Sequence, residues 1–155
     1  YTAFEDCEIL QSDSAGNCDT AFDLGTSTGT VIDRLKVVAN TAGANSCINI
    51  TGTATEAVIT DCWIDGNYGS ATISNPASQV ATNLLIKNNY LRNQRSTKVA
   101  VDLNSACTGI LSNNVYHSNV GSSTVAVDPG SMFSYENYSV SAVDKSAVLS
   151  PISLE

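Results

Sequence analysis

Apolar and polar positions alternate in short bursts along this chain, and the bursts repeat. Ala81-Thr-Asn-Leu-Leu-Ile-Lys-Asn-Asn-Tyr-Leu-Arg-Asn93 reads as a strand, a sharp corner and a second short strand. The phrase returns as Ala106-Cys-Thr-Gly-Ile-Leu-Ser-Asn-Asn-Val-Tyr-His-Ser-Asn119, and earlier as Ala54-Thr-Glu-Ala-Val-Ile-Thr-Asp-Cys-Trp-Ile-Asp-Gly-Asn67. Its skeleton is apolar, any, Asp or Asn, corner residue, any, apolar. Phe4-Glu-Asp-Cys-Glu-Ile9 fits this skeleton well, Ile32-Asp-Arg-Leu-Lys-Val37 fits loosely, and Tyr135-Glu-Asn-Tyr-Ser-Val140 is a divergent last copy.

The corner positions fall at Cys7, Leu35, Cys62, Asn89, Asn114 and Tyr138, which places successive copies 28, 27, 27, 25 and 24 residues apart. A fixed period in the twenties is the mark of a solenoid. A second column recurs midway between the corners: Phe22-Asp23-Leu24, Ile48-Asn49-Ile50, Ile73-Ser74, Val101-Asp102-Leu103 and Val127-Asp128. Each suits a short half-buried strand. Two or three strands per period without helical periodicity predict an all-β fold, a coiled parallel solenoid. The leucine density of a leucine-rich repeat is missing. Gly66-Asn-Tyr-Gly69 and Gln94-Arg-Ser-Thr97 share one phase and predict loops emerging from one edge.

The segments Leu84-Leu-Ile-Lys-Asn-Asn-Tyr-Leu91 and Ile110-Leu-Ser-Asn-Asn-Val-Tyr116 resemble repeats of the right-handed parallel β-helix, or pectate-lyase-like, superfamily. The resemblance covers roughly residues 1 to 130 and implies an Asn ladder at a tight corner between two sheets. Asn tolerates the left-handed backbone of such a corner, and stacked amides can hydrogen-bond between coils. It implies no single function, because this fold carries lyases, hydrolases, adhesins and virus fibres. The expected organisation is five to six coils over 1–130, a stub on the order of 25–30 Å long at one strand spacing per coil, with 131–155 as a cap or arm. That ending resembles the tails of β-helical phage structural proteins.

Charged residues make up only 14% of the 155-residue chain, and the net charge of −8 speaks against nucleic acid and anionic membranes as partners. No apolar run approaches bilayer-spanning length. Five cysteines leave at least one unpaired or bonded between chains. Cys7 and Cys62 share the corner column two coils apart, beyond disulfide reach. Buried thiols in a reducing compartment are therefore expected, with no metal site, because no CxxC or Cys/His cluster exists. The first residues already have the phase of an internal coil, so an open end covered by a partner or by further coils is expected.

Chemistry is sought in columns, since residues at one phase sit about 4.8 Å apart on adjacent coils. One outward column runs Glu8, Lys36, Trp63, Tyr90, Val115, and the next runs Leu10, Val38, Asp65, Arg92, His117. Stacked Trp63 and Tyr90 beside Asp65, Arg92 and His117 suit a subunit interface, a glycan contact, or aromatics covered by the chain's own loops. In the midway column, Asp102 and Asp128 on neighbouring coils have the layout of paired glycosidase carboxylates or a Ca²⁺ site, and equally of solvated corner residues.

Polygalacturonase motifs (Asn-Thr-Asp, Asp-Asp, His-Gly, Arg-Ile-Lys) are missing: Ser118 follows His117, and Lys87 has no preceding arginine in its Leu-Ile-Lys. The reading is thus a non-enzymatic structural module without cofactors. It belongs to a virion, of a bacteriophage for instance, or to an extracellular surface fibre, is assembled in a reducing cytoplasm, and associates with copies of itself or other fibre subunits. The alternative is a carbohydrate-binding or polysaccharide-degrading β-helix fragment.

Overall fold

The computed structural model describes residues 2–10, 20–39, 45–75, 78–95, 97–118, 127–128, 131–141 and 150–151. They form an all-β parallel solenoid of about four turns. The first coil has strands β1 (Thr2–Glu5), β2 (Glu8–Leu10) and β3 (Phe22–Asp23), and the second β4 (Thr30–Asp33), β5 (Lys36–Ala39) and β6 (Ile48–Asn49). The third carries β7 (Val58–Thr60), β8 (Trp63–Gly66) and β9 (Ile73–Ser74), and the fourth β10 (Leu84–Lys87), β11 (Tyr90–Asn93) and β12 (Val101–Asp102). Then follow β13 (Gly109–Ser112), β14 (Val115–Ser118), β15 (Val127–Asp128), β16 (Phe133–Tyr135), β17 (Tyr138–Ser141) and β18 (Ser150–Pro151).

Strands of equal phase stack into three sheets, ordered β1-β4-β7-β10-β13-β16 (sheet A), β2-β5-β8-β11-β14-β17-β18 (sheet B) and β3-β6-β9-β12-β15 (sheet C). All pairings are parallel except β17 with β18. The turn count is slightly below the five to six expected. Past residue 130, where a cap or arm is expected, β16 and β17 continue sheets A and B in register.

Strand alternation sends every second side chain inward. Sheet A contributes Ile32, Ile59, Ile86 and Leu111, sheet B Val37, Ile64, Leu91 and Tyr116, and sheet C Ile48, Ile73 and Val101, all buried in one core. Each such aliphatic chain contributes roughly 1.5–3 kcal/mol on burial. Cys47, Cys62 and Cys107 are free thiols buried in the same core, and Cys7 is a free thiol at its edge; Cys18 lies outside the described residues.

The corner between sheets A and B holds a buried column of Leu35, Cys62, Asn89, Asn114 and Asn137, with half-buried Cys7 at one end. Two features differ from expectation. The left-handed residue is the one before the column: Asp6, Arg34, Asp61, Asn88, Asn113 and Glu136 all have φ between 51° and 59°. The last corner residue is Asn137, not Tyr138, because Tyr138 aligns with Val115 on the outward face of sheet B. Asn89, Asn114 and Asn137 turn inward since their amides find partners only there. The Asn89 amide nitrogen donates to the Ile59 carbonyl (2.9 Å), that of Asn114 to Ile86 (3.0 Å) and that of Asn137 to Leu111 (2.8 Å).

Candidate functional site

The outward face of sheet B carries the aromatic pair. Register aligns Glu8, Lys36, Trp63, Tyr90, Val115 and Tyr138 in one column, and Leu10, Val38, Asp65, Arg92 and His117 in the next. The rings of Trp63 and Tyr90 stack with centroids 4.0 Å apart and planes 14° from parallel. Trp63 is 49% exposed. Each ring covers one face of the other, so the open surface is a ridge along the solenoid axis rather than a flat platform.

Beside this ridge, Arg92 Nη1 lies 3.2 Å from Asp65 Oδ2, and the Gln94 side-chain amide donates to Asp65 Oδ1 at 2.8 Å. His117 stands one strand further on, level with Arg92. Arg92 Nε and His117 Nδ1 are buried from solvent with no hydrogen-bond partner among the described residues. Burial first, then the Arg92 charge, holds the imidazole below its ordinary pKa, so His117 is neutral near pH 7. Burial, reinforced by the Asp65 carboxylate, pushes the Tyr90 phenol up. The face presents one exposed ring and one half-buried ion pair.

Two neighbouring coils set the rim. The Lys36 ammonium meets Glu8 Oε1 at 2.5 Å, and Arg34 binds Asp6 through Nε (2.6 Å) and Nη2 (2.9 Å). On the other side, Gly66 to Ser70 closes inward. Tyr68 is buried against Gly66, and the Asn93 amide donates to the Tyr68, Ser70 and Val99 carbonyls at 3.3, 3.0 and 3.2 Å. Gly66–Gly69 is thus not the emerging loop that its composition suggests. Asn93, at the far end of β11, is the residue that ties it down.

The midway column exists as expected: Asp23, Asn49, Ser74, Asp102 and Asp128 align across sheet C. Asp102 is exposed, while the Asp128 side chain lies outside the described residues, so no carboxylate pair is established there. Further up this face, a shallow hollow of about 150 Å³ is lined by Asn45, Ser46, Asn49, Ser70 and Ser74, neutral hydroxyls and amides only. No group of three or more metal-ligating side chains is found among the described residues, and none of their helices is long and apolar enough to cross a membrane. No protein-family model, curated protein or solved structure matches the chain.

Proposed function

We propose that this chain is a non-enzymatic structural module of a virion or surface fibre, a coil stack of the right-handed pectate-lyase-like type that self-associates through a face of the solenoid. The observation that carries this reading is the half-exposed Trp63 stacked on Tyr90 in mid-sheet. The ridge continues along the axis through half-buried Val115 and Tyr138. A long apolar ridge matches another extended protein surface, and large aromatics dominate the energetics of such interfaces. The free thiols Cys7, Cys47, Cys62 and Cys107 support assembly in a reducing compartment before any exposure outside the cell. A bacteriophage particle, as the resemblance of the chain's ending suggests, is one such destination.

A second reading follows from the polar rim. Asp65, Arg92 and Gln94 beside the exposed ridge of Trp63 offer donors and acceptors to a sugar packed along the edge of the indole. Light scattering over a concentration series, with Trp63→Ser alongside, separates the two. Association weakened in Trp63→Ser supports the fibre module; a monomer at every concentration overturns it. Trp63-dependent retention of a polysaccharide by that monomer selects the glycan reading.

A further inference from the structure

Sheet A has an outward face that the repeat phrase hides. Register aligns Ala3, Val31, Val58, Leu85, Ile110 and Phe133 in one outward column across six strands. Phe133 is 64% exposed and Ile110 39%, so the stripe is open to solvent. The column beside it reads Glu5, Asp33, Thr60, Lys87, Ser112, Tyr135. Its charges are ordered along the axis: Asp33 lies one strand before Thr60 and Lys87 one strand after it. Lys87 has no ion-pair partner among the described residues, whereas Arg34, Lys36 and Arg92 are all paired.

We infer that this face docks a second copy of the chain, with the two solenoids antiparallel. This deepens the self-association reading and rests on it, but it uses a different sheet. Take a two-fold axis in the interface, running along β7. It reverses the order of coils and keeps the direction along each strand. The apolar stripe then meets the apolar stripe, Val58 opposite Val58 and Val31 opposite Leu85. The polar column meets itself with Asp33 opposite Lys87, twice by symmetry, as an isologous contact requires. With coil order kept instead, levels match like with like, and no Asp33–Lys87 pair forms. Asp61, level with the axis, sits at the corner off this face and accepts from the Asn88 amide at 3.3 Å. An axis along β7 overlaps five strands of each copy, β1 to β13, and leaves β16 with Phe133 beyond the contact. Five strands of about 13 Å length at about 4.8 Å spacing give a patch of roughly 300 Å² in projection, well short of the about 800 Å² per partner of a standard interface. The contact is therefore weak and concentration-dependent, as suits a lateral contact multiplied along a fibre.

Sedimentation equilibrium over a concentration series tests this with charge-reversed variants. Lys87→Asp and Asp33→Lys each place like charges across the axis twice, and each is expected to weaken self-association about tenfold. An equimolar mixture of the two restores opposite pairs at both sites and is expected to recover wild-type affinity, which also proves that both variants fold. Asp33 also holds Arg34 and Thr60, so a second pair, Ile110→Glu with Ala3→Lys, repeats the test at two exposed positions. Single variants that associate like wild type, or mixtures that recover nothing, overturn the inference. If association is abolished by Trp63→Ser yet indifferent to all four substitutions, the inference fails and the proposed function stands. A wild-type monomer throughout overturns both.

Discussion

Asn89 is bound twice to the same oxygen of Asn114: its backbone N–H and its side-chain amide both donate to Asn114 Oδ1 at 3.0 Å. Asn114 repeats the arrangement on Asn137 Oδ1, again at 3.0 Å for both donors, and Tyr116 Oη donates to that same oxygen at 3.2 Å. One coil the other way, the Cys62 N–H donates to Asn89 Oδ1 at 2.9 Å. From Cys62 onward a buried amide therefore links each coil to the next, in a core where an unmet polar group costs about 1–3 kcal/mol.

The ladder predicts a graded effect. Asn114→Ala removes the acceptor of two Asn89 donors and the donor to the Ile86 carbonyl, all buried. A loss of at least about 3 kcal/mol is expected from those orphaned groups. Asn137→Ala is expected to cost a similar amount by freeing both Asn114 donors. Urea unfolding checks both; a loss under about 1 kcal/mol at Asn114 means the groups find other partners.

Why the sequence shows this much is a matter of period. The phrase around Asn88-Asn89 defines strand, corner and strand at once, so the registers Trp63–Tyr90 and Asp65–Arg92–His117 are legible in the sequence itself. The last copy slips by one residue, because its inward positions are Ser134 and Ser139 rather than Ile or Leu. Only the buried Asn137 amide, with Ser134 Oγ and Leu111 O within reach, settles its phase. The outward stripe on sheet A is hidden for the opposite reason. Leu84-Leu85-Ile86 is continuous apolar sequence, and only the register of neighbouring coils shows that Leu85 points out.

Gly109 is predicted to be irreplaceable. Its φ is +142°, and an added Cβ would lie 2.1 Å from the Leu84 carbonyl oxygen and 2.5 Å from the Leu84 nitrogen. The rigid obstacle is backbone, so the strand must move away, and β10 and β13 would part where Leu84 pairs with Gly109. Gly109→Ala is expected to cost more than the roughly 1 kcal/mol typical of a point substitution, where a compatible glycine site would instead gain stability. Hydrogen exchange locates the damage: protection of the Leu84 amide, which donates to the Thr108 carbonyl, should fall before that of Leu85, which donates to Ala57 on the other side, and unchanged protection at Leu84 would refute the steric argument.

His117 gives an acid-side prediction. Its folded pKa lies below the unfolded value near 6.5, mainly through burial and then through Arg92. The groups facing it on the neighbouring strand are Arg92, which opposes its protonation, and Asp65 beyond, which favours it. Between the folded and unfolded pKa the unfolded chain binds the extra proton. Stability is thus full above pH 6.5 and declines as pH falls through that value toward the folded pKa. The ring is only half-buried, so the decline is shallow. His117→Gln should remove this part of the decline. The drop in melting temperature from about pH 7.5 to about pH 5.5 should be smaller in the variant than in the parent. A steeper acid loss in the variant contradicts the assignment.

The thiol of Cys62 makes the alkaline side distinct. Burial pushes its pKa up to about 11 from 9.0, opposed by the backbone at Leu35 and reinforced by the Asp61 carboxylate. The folded state holds this proton longer than the unfolded chain, so its stabilising effect is complete below pH 9 and is lost as pH rises toward 11. The rise from 9.0 to about 11 corresponds to at most roughly 2–3 kcal/mol by the upper end of that window. Burial raises the Tyr116 phenol in the same direction, so the alkaline loss continues with tyrosine ionisation. Cys62→Ala should flatten the first part of the decline between pH 9 and 11 and leave the tyrosine part. In the native protein the buried thiols Cys47, Cys62 and Cys107 should resist an aromatic disulfide reagent at about pH 8 and react on unfolding. Rapid native labelling of Cys62 would show that the corner between sheets A and B opens far more readily than its packing implies.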